Sequence, residues 1–383
     1  MKIDPYKNKD HYLAWKEENS KSISNVSKEN SELILQYLGD MEKGINIANG
    51  SVKGSRSYSR LNALKSRLIF FSKKFKESYN LDNITQITED QLMGFFSDMR
   101  NGTIRRLDGG TFVSPADYVK DMKAFWHWYQ KTNKKKGISI LDITSDLDTS
   151  KDKPKWVYLT EEQVKQLADN AKFEYRVLIM FLFDTGIRAP TEVMNLKVSD
   201  FFNEFKELNI REEISKTFGR RIKLMISSEL IKEYVKFFNL SSNDYLFTKN
   251  PNKVNEYLQR LAVRILGDGE SQAGQKYSEL TVYDFRHNAC CYWLPRYKSE
   301  SALKYRFGWK KSEKIHYYSE LLGMKDTISE EDMFTDITKT EIQRDLENSK
   351  KQNLILQERL KTMEIQMARV LEMTDRIDLE VRV

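Results

Sequence analysis

The chain has 383 residues, 40% of them hydrophobic and 31% charged, with a formal net charge of +7. That length suits two domains with additions; no run of about eighteen apolar residues offers a membrane span, the N-terminus lacks the apolar stretch of a signal peptide, and the four histidines show no metal-ligand spacing. The adjacent pair Cys290 and Cys291 gives no disulfide framework, which fits a reducing, cytoplasmic setting.

Charge is spread unevenly. Residues 319–383 hold 15 acidic and 10 basic residues, a balance of −5, so the first 318 carry +12. A basic body with a mildly acidic tail favours a polyanionic partner, nucleic acid first among them.

Residues 1–54 read as a polar extension with one helical stretch, SELILQYLGDMEKGINI, and GSVKGSRS (50–57) as a linker. A helical domain is expected over 55–132. YSRLNALKSRLIFFSKKF places Leu61, Leu64, Leu68, Ile69 and Phe71 at helical spacing. ITEDQLMGFFSDMRNG opens on a capping box, Thr88 to Gln91, and stops near Gly102. ADYVKDMKAFWHWYQKTN supplies a third helix. Its Phe125, Trp126, Trp128 and Tyr129 read as core rather than as a base-stacking surface.

Residues 133–156, charged and Ser/Asp-rich, read as an interdomain linker. A second domain is expected over 157–334, mainly helical. Thr160 and Gln163 mark a helix start, FEYRVLIMFLFDTG is a buried helix ending at Gly186, and ELNIREEISKTFGRRIKLMIS alternates as two strands around a turn at Thr217 to Gly219. GESQAGQKY (269–277) lacks the Gly-Lys-Ser/Thr of a phosphate loop and reads as an exposed loop.

Three segments in this domain carry candidate chemistry. DTGIRAPTEVMNL puts Arg188 just after a glycine at a helix-to-helix turn; SELTVYDFRHNACCYW puts Arg286 and His287 at a helix start; RFGWKKSEKIHYYSELLG ends in Tyr317 and Tyr318. Two guanidiniums form permanently charged forks that suit the non-bridging oxygens of a phosphodiester.

In order and spacing, the three segments resemble the catalytic domain of the tyrosine recombinases, the phage integrase family. Thr185, Gly186, Arg188, Glu192 and Leu196 match its first box, Arg286 and His287 its second, and Phe307, Gly308 and Trp309 its third. The family's nucleophilic tyrosine stands nine residues after the third box and about 32 after the second arginine. Both spacings select Tyr318 and pass over Tyr317. The resemblance implies a mainly α fold with a small antiparallel sheet, in which a helical core-binding domain precedes the catalytic domain. It implies cutting and rejoining of duplex DNA through a covalent 3′-phosphotyrosine, with no metal or cofactor. Arg188 and Arg286 are then the phosphate clamp and Lys216 the acid that protonates the leaving 5′-oxygen, with Lys223 as the second candidate. His287 and Trp309 donate to the phosphate region. The partners implied are double-stranded attachment sites and further copies of the chain, in a tetrameric synapse on DNA. A type IB topoisomerase shares the Arg/Lys/Arg/Tyr logic, and a catalytically silent DNA-binding scaffold shares the fold.

Two departures stand out. Glu192 lies four residues after Arg188 where the family has its acid at three. Tyr283 replaces the first histidine of the second box, a Y-x-x-R form similar to that of archaeal mobile-element integrases. A phenol, with an ordinary pKa near 10, is a poor base at neutral pH, which puts a general-base role at position 283 in question.

Residues 335–383 read as a long helix, with self-association expected over 338–380. Ile342, Leu346, Ser349, Asn353, Leu356, Leu360, Met363, Met367, Val370, Thr374 and Ile377 fall on heptad a and d positions, a possible coiled-coil seam.

Overall fold

The computed structural model describes residues 3–45, 54–106, 108–150, 155–297 and 299–322, with scattered positions between 346 and 367. Residues 1–318 form one compact unit and 319–383 another.

Among the described residues, five helices build the first half: α1 (Asn8–Glu18), α2 (Lys28–Lys43), α3 (Tyr58–Tyr79), α4 (Glu89–Asn101) and α5 (Pro115–Lys134). Ser27, Ser57 and Thr88 cap the starts of α2, α3 and α4 with their hydroxyls, and Thr88 and Gln91 close the expected capping box. Tyr12 of α1 and Ile34, Tyr37 and Leu38 of α2 are buried with Leu61, Leu68 and Phe71 of α3, Phe95 of α4, and Phe125 and Trp128 of α5. The described part of the polar extension therefore holds two helices where one was expected, and both share the core of the helical domain. Burial of apolar area at about 25 cal/mol per Å² is what recruits them.

The aromatic cluster of α5 is core, as expected. Phe125, Trp126 and Trp128 are buried. The indole N–H groups are paired, Trp128 donating to Asp40 at 2.8 Å and Trp126 to the Leu141 carbonyl at 2.9 Å. The segment between the domains is anchored at both ends, because Ile143 and Leu147 enter the first core while Trp156 is buried beside the second.

The second half holds α6 (Glu161–Asp169), α7 (Phe173–Thr185), a sheet, then α8 (Ser228–Phe237), α9 (Pro251–Leu266), α10 (Asp284–Trp293), α11 (Glu300–Phe307) and α12 (Glu313–Leu322). The apolar helix α7 packs against α6 and α10. Its Val177, Phe181 and Leu182 share a core with Leu208, Ile222, Ile231, Leu261 and Phe285. The sheet has three antiparallel strands, β1 (Phe201–Phe202), β2 (Glu207–Ile210) and β3 (Arg220–Lys223), in that order. Leu208 pairs with Ile222 and Ile210 with Arg220.

Two details differ from the sequence expectation: β1 is an added strand, and β2 stops at Ile210. The turn begins there because the Ser215 N–H donates to the Arg211 carbonyl at 3.2 Å, making a single coil that no alternation pattern announces. Lys216 thus lies in the β2–β3 connection and not at a strand end.

The N-terminal segment reaches the second half. The Ile3 N–H donates to Asn195 Oδ1 at 2.6 Å, and Asn195 Nδ2 donates to the Ile3 carbonyl at 2.9 Å. In the tail, Leu346, Ser349, Asn353, Leu356, Leu360, Met363 and Met367 are helical and exposed. The rest of the expected seam lies outside the described residues. Among the described residues no helix is long and apolar enough to cross a membrane.

Candidate active site

Helix α7 ends because Gly186 takes a left-handed conformation, φ +57°, φ being positive where side chains fit poorly. A Cβ there would stand 2.2 Å from Cε1 of Phe307. The glycine therefore lets the first and third boxes touch. Gly308 does the same on the other side: at φ +61°, a Cβ would meet Arg220 Nη1 at 2.9 Å.

The turn after Gly186 aims Arg188 inward. Its Nη1 donates to Glu192 Oε1 at 3.0 Å and to Thr217 Oγ1 at 3.3 Å, and its Nη2 to the Gly308 carbonyl at 2.8 Å. Glu192 also accepts from the Arg188 main-chain N–H at 3.1 Å. The four-residue spacing of the acid is thus compatible with direct pairing to its arginine. Burial opposes ionisation of Glu192, yet Arg220 and then Arg188 hold its carboxyl below the ordinary range.

Arg286, on the first turn of α10, is 4% exposed. It donates to the Gly186 carbonyl and to the Phe307 carbonyl, each at 2.6 Å. The two candidate clamp arginines therefore converge on consecutive carbonyls, Phe307 and Gly308. Burial, with the charge of Arg188 beside it, pushes Arg286 down to about 10, still protonated at neutral pH.

Tyr318 is 2% exposed. Its hydroxyl lies within hydrogen-bond reach of His287 Nδ1. The Trp309 ring lies parallel to it, with centroids 6.0 Å apart, and Trp156 meets it edge-on at 6.2 Å. Trp156 also stacks on His287 at 4.9 Å. Burial pushes the Tyr318 phenol far above its ordinary value. Tyr317 accepts from Trp156 Nε1 at 2.7 Å, so the neighbour serves packing and a hydrogen bond.

The remaining candidates divide. Tyr283 is 46% exposed, its ring edge-on to His287 at 5.3 Å. Trp309 is half-buried, stacked on Phe307 at 4.9 Å. Lys216 is exposed on the connection beside Thr217, whose hydroxyl donates to the Gly308 carbonyl at 2.9 Å. Lys223 is exposed on β3. His287 contacts the tyrosine.

Sequence reasoning missed Arg220, Trp156 and Asp184. Arg220 is fully buried against Glu192 at 2.9 Å. Strand alternation was the available signal, since Arg220 is in phase with Ile222 and Leu224 while Arg221 is not. Asp184, also buried, accepts from the N–H groups of Ile226 and Ser227 at 2.9 Å and pairs with Arg306 at 2.9 Å. It fixes the end of α7 to the segment entering α8. Among the described residues no group of His, Cys, Asp or Glu could hold a metal ion.

Residues 157–323 match the profile described as the phage integrase family. No curated protein matches the chain. Solved structures resemble it in fold. One is a lambda integrase dimer bound to a COC′ core site, 13% identical, covering 81% of this chain and 79% of that one, with TM-score 0.54. Another is the XerH site-specific recombinase bound to palindromic difH substrate in a post-cleavage complex, 18% identical, covering 82% and 92%, with TM-score 0.52. A third is the Tn1549 transposon integrase in complex with circular intermediate DNA, 14% identical, covering 75% and 94%, with TM-score 0.52.

Proposed function

We propose, from the match of residues 157–323 to the phage integrase family, that the protein is a tyrosine recombinase that cuts and rejoins duplex DNA at specific sites. The observation that carries this reading is the meeting of three distant segments: Arg188 and Arg286 converge on the Phe307–Gly308 carbonyls while Tyr318 lies against His287. A catalytically silent scaffold has no use for a buried phenol on an imidazole.

In the reaction proposed, Tyr318 Oη attacks phosphorus and the P–O5′ bond breaks. The tyrosine ends as a 3′-phosphotyrosyl ester, and the DNA strand leaves with a 5′-hydroxyl. The phenol proton passes to His287 Nδ1, the nearest base, a role for which Tyr283 is chemically unsuited. The departing 5′-oxygen takes its proton from Lys216. Arg188 and Arg286 exchange carbonyl partners for the non-bridging oxygens, whose charge grows as phosphorus becomes five-coordinate. Rejoining is the same path reversed, with a 5′-hydroxyl as nucleophile. None of these steps draws on a metal or cofactor.

The +12 charge of residues 1–318 supports binding to the phosphate backbone, with a few base contacts setting the site. The lambda integrase neighbour is a dimer on a core site. We extend this to an assembly of several copies of this chain on DNA, a tetrameric synapse, as part of a mobile element acting on DNA inside the cell. The exposed apolar positions Leu356, Leu360, Met363 and Met367 of the tail, at four- and three-residue spacings, support a coiled-coil contact between copies.

The test is incubation with a nicked suicide duplex whose cleaved end diffuses away. The expected product is a covalent, protease-sensitive protein–DNA adduct that survives denaturant. Binding that dissolves entirely in salt, with no adduct on any attachment-site candidate, would leave only a scaffold.

A further inference from the structure

Arg220 is a cation with no access to solvent. Its side chain is 0% exposed, and an unpaired charge in such a place costs several kcal/mol. Its fork is satisfied by two segments remote in sequence and by the connection just ahead of its own strand. Nη2 donates to Glu192 Oε2 at 2.9 Å in the first box. Nε donates to the Arg306 carbonyl at 2.8 Å, just ahead of the third. Nη1 reaches Ser215 Oγ and Glu192 Oε1, both at 3.5 Å, in the β2–β3 connection and the first box. Gly308 leaves out its side chain where the Arg220 guanidinium passes.

Ser215 continues the network. Its hydroxyl donates to Glu192 Oε1 at 3.2 Å, and its Oγ accepts from the Thr217 N–H at 3.4 Å. Lys216 therefore sits between two residues whose side chains are tied to the clamp: Ser215 through Glu192 and Arg220, and Thr217 through Arg188 and the Gly308 carbonyl. The lysine itself is exposed. A long, flexible ammonium gains direction only from the backbone that carries it.

We propose that Arg220 is a positioning residue that, through Glu192 and Ser215, holds the Lys216 loop in register with the Arg188–Arg286 clamp, so that leaving-group protonation and phosphate binding act on one phosphodiester. The proposal rests on the recombinase reading above, with Lys216 as the acid. A lysine at 220 keeps the charge but offers no planar fork, so it can pair with Glu192 or reach the loop and the Arg306 carbonyl, but not all three.

The experiment measures single-turnover cleavage by the full chain on two suicide duplexes. One carries the ordinary 5′-oxygen at the scissile phosphate. The other carries a 5′-sulfur, which leaves as a thiolate and needs little protonation. For Arg220→Lys the ratio of oxygen to sulfur cleavage rates is expected to fall at least about tenfold, the worth of one transition-state proton donor set out of place. DNA affinity should stay within about threefold of wild type, as the clamp keeps both arginines. Ser215→Ala, which leaves Arg220 and its ion pair in place, is expected to lower the same ratio about three- to fivefold. Its result stands even where the melting curve shows Arg220→Lys to be unfolded. Equal loss on both substrates, or no loss, in the folded variants overturns the proposal. A wild-type chain that forms no adduct with either duplex removes the recombinase reading, and this inference with it.

Discussion

Gly186→Ala makes a demanding test of how the first and third boxes meet. The added methyl group faces two penalties. A left-handed backbone at a residue with a Cβ costs about 1–2 kcal/mol. The Cβ would also stand 2.2 Å from Cε1 of Phe307 and 2.9 Å from Cδ1 and Cζ, far inside contact distance. Phe307 is fully buried and cannot swing into solvent. It backs onto Trp309 at 4.9 Å, and Trp309 lies parallel to Tyr318 at 6.0 Å. Overpacking of this kind costs about 1–3 kcal/mol. Together the penalties reach about 2–5 kcal/mol, or roughly 4–20 °C in melting temperature for a domain of this size. The displacement travels along the stacked rings to Tyr318, so cleavage should fall by more than about tenfold even below the melting transition. Gly94 is the control: it lies mid-helix in α4, and a methyl group added there would meet nothing within 4 Å. Gly94→Ala should stabilise by about 0.5–1 kcal/mol and leave cleavage intact. Calorimetry and single-turnover cleavage read both variants. Wild-type stability and rate in Gly186→Ala would refute the packing argument.

Further expectations address the chemistry and the tail. Arg188→Ala and Arg286→Ala should each lower single-turnover cleavage by about 100-fold, as removal of a transition-state donor does; near-normal cleavage in either takes that arginine out of the clamp. Burial raises the Tyr318 pKa, so the phenol keeps its proton to higher pH than a free tyrosine. In an absorbance titration of tyrosinate, wild type and Tyr318→Phe should therefore ionise the same number of tyrosines through about pH 10; one tyrosinate fewer in the variant there means that Tyr318 ionises as it does in water. A chain ending near residue 335 should sediment as a smaller species than the full chain and form fewer synaptic complexes while still making adduct. Identical sedimentation and assembly of the two would reject a role for the tail in holding copies together.

Much of the site was legible because its chemistry sits in short motifs with fixed gaps. Two separate spacings chose Tyr318, and the structure puts that hydroxyl on His287, while that of Tyr317 accepts from Trp156. Arg188 and Arg286 are more than ninety residues apart in sequence, yet they meet at the Phe307 and Gly308 carbonyls. Helix starts marked by Thr88 and Thr160 were readable because capping is a local contract between near neighbours. The unread parts depend on long-range packing. Nothing local says that α1 and α2 share a core with α3 to α5, because that is decided where Tyr12 and Tyr37 find their partners. The coil at Arg211 to Ser215 interrupts a stretch whose alternation suits a longer strand. Trp156 reads as the end of a polar linker, and only the fold shows it stacked on His287. The acid at the unexpected spacing, Glu192, gives up its role only when Arg220 arrives from β3 to share it.

The most direct measurement of the central claim is mass spectrometry of the proteolysed adduct formed on a suicide duplex, run beside Tyr318→Phe and Tyr317→Phe. The account predicts a nucleotide attached through a 3′-phosphate to the peptide that carries Tyr318, formed by wild type and by Tyr317→Phe. Tyr318→Phe should form none while binding the same DNA within a few fold. An adduct mapped to any other residue, or one that persists in Tyr318→Phe, contradicts it.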